Sequence, residues 1–133
     1  MFTVQAEVCH HILLIRCAGV VTADELAGLV SLAREFVRQS GPRPTILDLS
    51  AICRLAAPTG LVVALAQRPP IMGDEARVYV APAAEVFGLT RLYAAYQELA
   101  GFRPPTVARS LDEALRLLSP DDPDLRPCAL AVN

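Results

Sequence analysis

The sequence predicts a single α/β domain with a mixed five-stranded sheet, mostly parallel with an antiparallel N-terminal strand, and about four helices. Short β-branched segments alternate with segments of helical periodicity in the order ββαβαβαβα, and this alternation requires crossovers between parallel strands. The chain has 133 residues, 53% of them hydrophobic and 20% charged, which is the length of one domain and too apolar for a disordered chain. We expect the domain to span residues 1–119 and residues 120–133 to form a loosely ordered tail.

The first two strands are expected to form an antiparallel hairpin. Residues 3–8 alternate polar and apolar side chains, as in a half-buried strand. Residues 12–18 are nearly all apolar, which favours a more central strand that ends at Gly19. Only His10 and His11 lie between the two segments, so the connecting turn must be short.

Three further strands are predicted from short apolar segments that each follow a helical pattern. They cover residues 45–50, 77–81 and 106–108.

Two of the four helices begin at a capping box, in which a hydroxyl and a carboxylate satisfy free backbone amides. These boxes are Thr22 to Glu25 and Ser110 to Glu113. The first helix is expected to end at Gly41, and the last to run through Leu118. The other two helices are predicted over residues 58–67 and 83–100, the longer of them with a packing stripe of Leu89, Leu92, Tyr93, Tyr96 and Leu99.

Composition excludes several kinds of chemistry. All twelve basic residues are arginine, so a Schiff-base lysine and a phosphate-loop lysine are impossible. The net charge of −2 lacks the basic excess of a nucleic-acid-binding protein. No Gly-x-Ser-x-Gly elbow is present, so we predict that the protein is not an enzyme.

The cysteine and histidine pattern does not predict a metal site. Cys9 and His11 share a strand face and Cys17 could approach across the hairpin, but no spacing supplies a further ligand. We therefore expect no metal and no cofactor. The N-terminus shows no signal-peptide pattern and no apolar run is long enough to span a bilayer, so we expect a cytoplasmic protein.

Residues 46–61, Ile-Leu-Asp-Leu-Ser-Ala-Ile-Cys-Arg-Leu-Ala-Ala-Pro-Thr-Gly-Leu, resemble the signature of the STAS domain of sulfate transporters and anti-sigma factor antagonists. That signature is a strand ending in Asp-Leu-Ser, a hydrophobic loop, and Asp-Ser-Ser-Gly-Leu at the start of a helix. The predicted element order is similar to the STAS fold across residues 3–118, and residues 107–115 resemble its last strand and helix. Residues 87–93 are similar to a bacterial STAS-like subgroup.

The sequence departs from this signature at the phosphorylated serine of the family's switch proteins. Aligning on Gly60 places Ala57 at the family's aspartate, Pro58 at its first serine and Thr59 at its second. Thr59 is then the only hydroxyl available as a phosphoacceptor. The resemblance implies a regulatory module that binds a protein, such as a kinase-like anti-sigma factor, without the usual phosphoserine.

Asp48 and Ser50 lie at the carboxyl end of a predicted central strand, where open α/β sheets place ligand sites. With Arg54, Thr59 and Gly60 they form the candidate loop for a partner, a phosphate or a ligand. The alternative function is therefore binding of a small apolar or nucleotide-like ligand near Asp48, Arg54 and Thr59. The structural alternative, which we favour for Asp48 and Ser50, is that both simply cap the loop by bonding backbone amides.

A second candidate surface lies on the longer predicted helix. Phe87, Arg91, Ala94 and Ala95 lie off its packing stripe and form a mildly apolar face. We expect this face to serve as a homodimer or partner interface.

Overall fold

The computed structural model describes residues 2–118, and its nine elements follow the predicted order. The loosely ordered tail expected over residues 120–133 lies outside the described residues. The strands are β1 (Phe2–Cys9), β2 (Ile12–Val21), β3 (Thr45–Leu55), β4 (Arg77–Val80) and β5 (Thr106–Ala108). The helices are α1 (Ala23–Ser40), α2 (Thr59–Ala66), α3 (Ala84–Leu99) and α4 (Leu111–Leu118).

The strands form one five-stranded sheet in the order β1-β2-β3-β4-β5. β1 is antiparallel to β2, and the other neighbouring pairs are parallel, as predicted. The hairpin between β1 and β2 turns at His10, whose φ of 59° is left-handed. The predicted fold class is therefore confirmed.

β2 and β3 are both longer than the sequence predicts. They remain paired past the end of β4, as far as Val21 opposite Leu55. Two register shifts, each with an extra residue on β3, allow this pairing, and Gly19 takes a left-handed φ of 102° beside one of them. The segment expected to be a loop after Ser50 is instead a two-stranded extension of the sheet.

Each face of the sheet has its own apolar core. On one face, Leu14 and Ile46 pack against α4, with Ala114 fully buried. On the other face, Leu13 and Ile15 belong to the cluster that includes the apolar residues of α1 and α3. Because strand side chains alternate, Asp48 shares the α4 face with Ile46.

The packing stripe predicted on α3 is partly wrong. The buried positions of α3 are Val86, Thr90 and Gln97, and Leu99 is 80% exposed. Gln97 is fully buried because hydrogen bonds satisfy its amide, which an apolar-stripe criterion does not detect.

Candidate functional site

The carboxylate of Asp48 makes local bonds at the point where the pairing of β3 with β4 ends. Its Oδ1 accepts hydrogen bonds from the Ser50 amide at 3.0 Å and the Ser50 hydroxyl at 2.6 Å. This is the capping arrangement that the sequence analysis gave as the structural alternative.

Arg16 supplies a counter-charge to Asp48 from the neighbouring strand. The two residues are paired in the β2–β3 register, and Arg16 Nε lies 3.7 Å from Asp48 Oδ2. Asp48 is buried and the Arg16 side chain is 29% exposed, while Arg16 Nη1 is buried without a hydrogen-bond partner among the described residues. The buried carboxylate is thus compensated by one cation and two local donors.

The segment that joins β3 to α2 is exposed. We name the solvent-facing residues Arg54, Ala56, Pro58, Thr59 and Gly60 the β3–α2 surface. Pro58 is the N-cap of α2 and offers no side-chain hydrogen bond, and Thr59 is the first helical residue. Within residues 2–118, the side chains of Arg54 and Thr59 make no hydrogen bond or ion pair. As far as the described residues show, these two side chains therefore keep their polar groups available to another molecule.

The structure joins only part of the predicted site. Asp48 and Ser50 are bonded to each other, whereas Arg54 lies four residues further along the strand, roughly 13 Å away at ~3.3 Å per residue. The candidate residues therefore divide into the buried Asp48 with its exposed hydrogen-bond partner Ser50, and the exposed β3–α2 surface.

Two arginines cover the face predicted on α3 for an interface. The guanidinium carbon of Arg109 lies 3.7 Å from the centroid of the Phe87 ring, and that of Arg91 lies 5.7 Å from it. Phe87 is half-buried at the edge of the apolar core, and Ala94 is half-buried and Ala95 exposed on the same helix. The apolar part of this face is smaller than the sequence suggests, because Phe87 is held by cation–π contacts within the chain.

A cavity that the sequence analysis missed lies between the sheet and helices α1, α2 and α3. Its volume is about 210 Å³. Leu47 and Leu49 of β3 line it from the sheet side, and Leu29 and Ala33 of α1 line it from the helix side. No residue of α1 is buried, and five of its residues line the cavity. Asp48, Arg54 and Thr59 do not line it.

Arg77 lines this cavity and is held by a buried polar network. Its side chain donates to Gln97 Oε1 at 2.9 Å and to the carbonyl oxygen of Arg103, and it lies 3.5 Å from the Tyr79 hydroxyl. Gln97 Nε2 in turn donates to the carbonyl oxygens of Ala66 at 2.6 Å and Arg68 at 3.1 Å. An arginine at the start of an apolar strand is the one sequence signal that could have indicated this network.

Burial perturbs two ionisable groups on the cavity wall. It raises the pKa of the Cys17 thiol to about 12, with a smaller contribution from the charge of Asp48. Burial also raises the pKa of the Tyr79 hydroxyl, helped by Tyr93 and opposed by Arg77. Both groups are therefore neutral at physiological pH, and the cysteine is a poor nucleophile.

Comparison with solved structures identifies the fold. An uncharacterised protein of the DUF3478 family with a SpoIIAA-like fold, from Shewanella loihica PV-4, superposes with a TM-score of 0.58 at 11% identity, over 88% of this chain and 93% of that one. The anti-sigma factor antagonist SpoIIAA in its unphosphorylated form gives 0.54 at 13% identity, over 84% and 92%. An anti-sigma factor antagonist from Mycobacterium paratuberculosis gives 0.55 at 21% identity, over 89% and 94%.

The chain therefore has a STAS-like fold of the SpoIIAA type, as the resemblance in residues 46–61 predicts. No protein-family model matches the chain, and no curated protein matches it significantly. Among the described residues, no helix combines the length and apolarity needed to cross a membrane.

Proposed function

We propose that this protein is a non-enzymatic regulatory module that binds a protein partner through the β3–α2 surface, without the phosphoserine of the family's switch proteins. The observation that carries the proposal is the exposure of this surface next to a helix N-terminus, on a fold shared with two anti-sigma factor antagonists. By the same likeness, the expected partner is an anti-sigma factor or a related regulator in the cytoplasm.

The geometry of α2 supports recognition at its N-terminus. Pro58 fixes an extended backbone with φ −62° and ψ 141° and provides no side-chain cap, so the first amides of α2 lack a side-chain acceptor. A carbonyl or carboxylate of a partner would satisfy these amides and interact favourably with the positive end of the helix dipole. Thr59 adds an exposed hydroxyl at the same place.

The arrangement of nucleophiles and bases argues against hydrolysis. The Ser50 hydroxyl donates to Asp48 and does not bond a histidine. Leu13 pairs with Thr45, so His11 lies level with residue 43, just before β3 begins, and roughly 23 Å from Ser50 at ~3.3 Å per residue. A serine that cannot reach a base has no route to activation.

Site-specific photo-crosslinking in the native host tests the proposed partner surface. A photoreactive phenylalanine analogue at Thr59 should capture a discrete partner, and the same analogue at the exposed Thr3 of β1 should not. Arg54→Glu should weaken the captured complex at least tenfold without changing the melting temperature. Equal capture at both positions, or none at Thr59, would contradict the proposal.

Phosphopeptide mass spectrometry of protein from the native host tests the absence of a phosphorylation switch. We expect residue 59 to be unmodified both in the free protein and in the protein captured with its partner. A stoichiometric phosphate on Thr59 that changes partner binding would replace this proposal with a conventional switch.

A further inference from the structure

The cavity beneath α1 has an unusual charge balance for an apolar site. Three arginines, Arg34, Arg68 and Arg77, contribute to its wall, and no aspartate or glutamate of the described chain does so. Arg34 and Arg68 are solvent-exposed, whereas Arg77 is only 7% exposed. The remaining wall is almost entirely aliphatic and aromatic.

Arg77 is a buried cation without a carboxylate partner within residues 2–118. The ion pairs there are those of Arg16 with Asp48 and of Arg38 with Glu35. All acceptors of Arg77 are neutral: an amide oxygen, a carbonyl and a phenol. A buried guanidinium needs a counter-charge or full hydrogen bonding to offset its lost hydration.

Arg77 also has an unsatisfied hydrogen-bond donor. Its Nε–H is buried and has no acceptor in the described chain, although its Nη atoms are bonded. Native proteins rarely leave such a donor unpaired. One unpaired donor and one uncompensated positive charge match one monoanionic acceptor group.

From these observations we infer that the cavity binds a small amphipathic carboxylate, with its apolar part between α1 and the sheet and its carboxylate at Arg77. The cavity of about 210 Å³ is smaller than the ~300–1,000 Å³ typical of drug-sized ligands, so the ligand is a short acyl chain or a single-ring acid. A fully apolar cavity of ~150 Å³ holds benzene, which supports this size class.

None of the five residues of the β3–α2 surface lines this site, although Leu55 and Val62 next to that surface do. The inference does not depend on the proposed partner function. The cavity lies on the face of the sheet that α1, α2 and α3 cover, whereas Asp48 lies on the opposite face, which α4 covers. The inferred ligand site therefore differs from the one expected near Asp48, Arg54 and Thr59, and its anchoring residue is Arg77.

Isothermal titration of the full chain with octanoate and with octan-1-ol tests the inference. The two probes share a chain and differ in charge at neutral pH. We expect both to bind, with octanoate at least tenfold tighter, because a charge-assisted hydrogen bond replaces an unpaired donor. Equal affinities would overturn the role of Arg77, and no binding of either probe would overturn the site.

Three variants locate the binding. Arg77→Met should remove the preference for octanoate while octan-1-ol still binds, and Arg116→Met on the exposed face of α4 should change neither affinity. Ala33→Trp should fill the cavity from α1 and abolish binding of both probes. Unchanged binding of both probes to Ala33→Trp would place the ligand elsewhere and overturn the inference. This test does not depend on whether Arg77→Met folds.

Discussion

Arg77 and Gln97 are joined by a buried hydrogen bond of 2.9 Å that connects β4 to α3. Gln97 is fully buried, and its amide also holds the end of α2 through the carbonyl oxygens of Ala66 and Arg68. One side chain thus fixes two helices and a strand around the wall of the cavity.

We expect Gln97→Leu to destabilise the protein by about 2–3 kcal/mol, because it leaves buried carbonyl oxygens and part of a buried guanidinium unsatisfied. Urea denaturation monitored by circular dichroism measures this loss. Gln67→Ala, at an exposed position after α2, is the matched control and should fall within about 0.5 kcal/mol of the wild type. If Gln97→Leu lowers the free energy of unfolding no more than the control does, the network does not stabilise the fold.

The Asp48 carboxylate gives a second prediction, which separates its structural role from a direct role in binding. Asp48→Ala should cost about 2–3 kcal/mol, because the Ser50 donors lose their acceptor and Arg16 loses its counter-charge. Asp48→Asn should cost less, since an amide oxygen can still accept from Ser50. A stable Asp48→Ala variant that fails to bind the partner would instead make Asp48 a contact residue.

The buried Cys17 thiol predicts how stability depends on alkaline pH. Its pKa is about 12 in the folded protein against the ordinary value of 9.0, so the folded state holds a proton that the unfolded chain releases. This contribution is complete below pH 9 and is lost as the pH rises towards 12, by up to about 1.4 kcal/mol per pH unit.

Chemical denaturation at pH 9 and pH 10 measures this slope before Tyr79, whose ordinary pKa is 10.0, contributes fully. Cys17→Ala should flatten the slope, and Cys53→Ala at an exposed position should not.

Chemical labelling tests the burial of Cys17 directly. Iodoacetamide should modify the Cys53 peptide of the native protein at pH 8 but leave the Cys17 peptide unmodified. Rapid labelling of Cys17 would contradict its burial.

The N-cap of α1 supports a prediction about local stability. Thr22 Oγ1 accepts a hydrogen bond from the Glu25 amide at 3.3 Å, as the capping box predicts. Thr22→Ala should cost about 1 kcal/mol and Thr22→Ser much less, because serine retains the acceptor. Thermal unfolding measures both, and equal losses would mean that the threonine methyl group, rather than the cap, carries the effect.

The candidate interface on α3 leads to a prediction about the oligomeric state of the protein. If Phe87, Arg91, Ala94 and Ala95 form a dimer interface, Ala95→Glu places a charge in it and should give a monomer by sedimentation equilibrium. Glu98→Ala, exposed on the same helix, is the control. A monomeric wild type would exclude the dimer and leave this face only the role of a partner surface.

By itself the sequence determined the order of elements, the strand directions and the hydroxyl N-caps Thr22 and Ser110, because these depend on local periodicity and on short-range donors and acceptors. It also placed Thr59 at the start of a helix, since proline and glycine mark such positions locally.

Only the tertiary structure decided which side chains meet. The bulges that extend β3 to Leu55, and the pairing of Arg77 with Gln97 twenty residues later, depend on register and on helix packing across the sheet. The cavity likewise depends on packing, because its wall combines residues of the sheet with residues of α1, α2 and α3 that are far apart in the sequence. Long-range packing leaves no periodic signal in the chain, so the site with an unpaired buried charge could be found only in three dimensions.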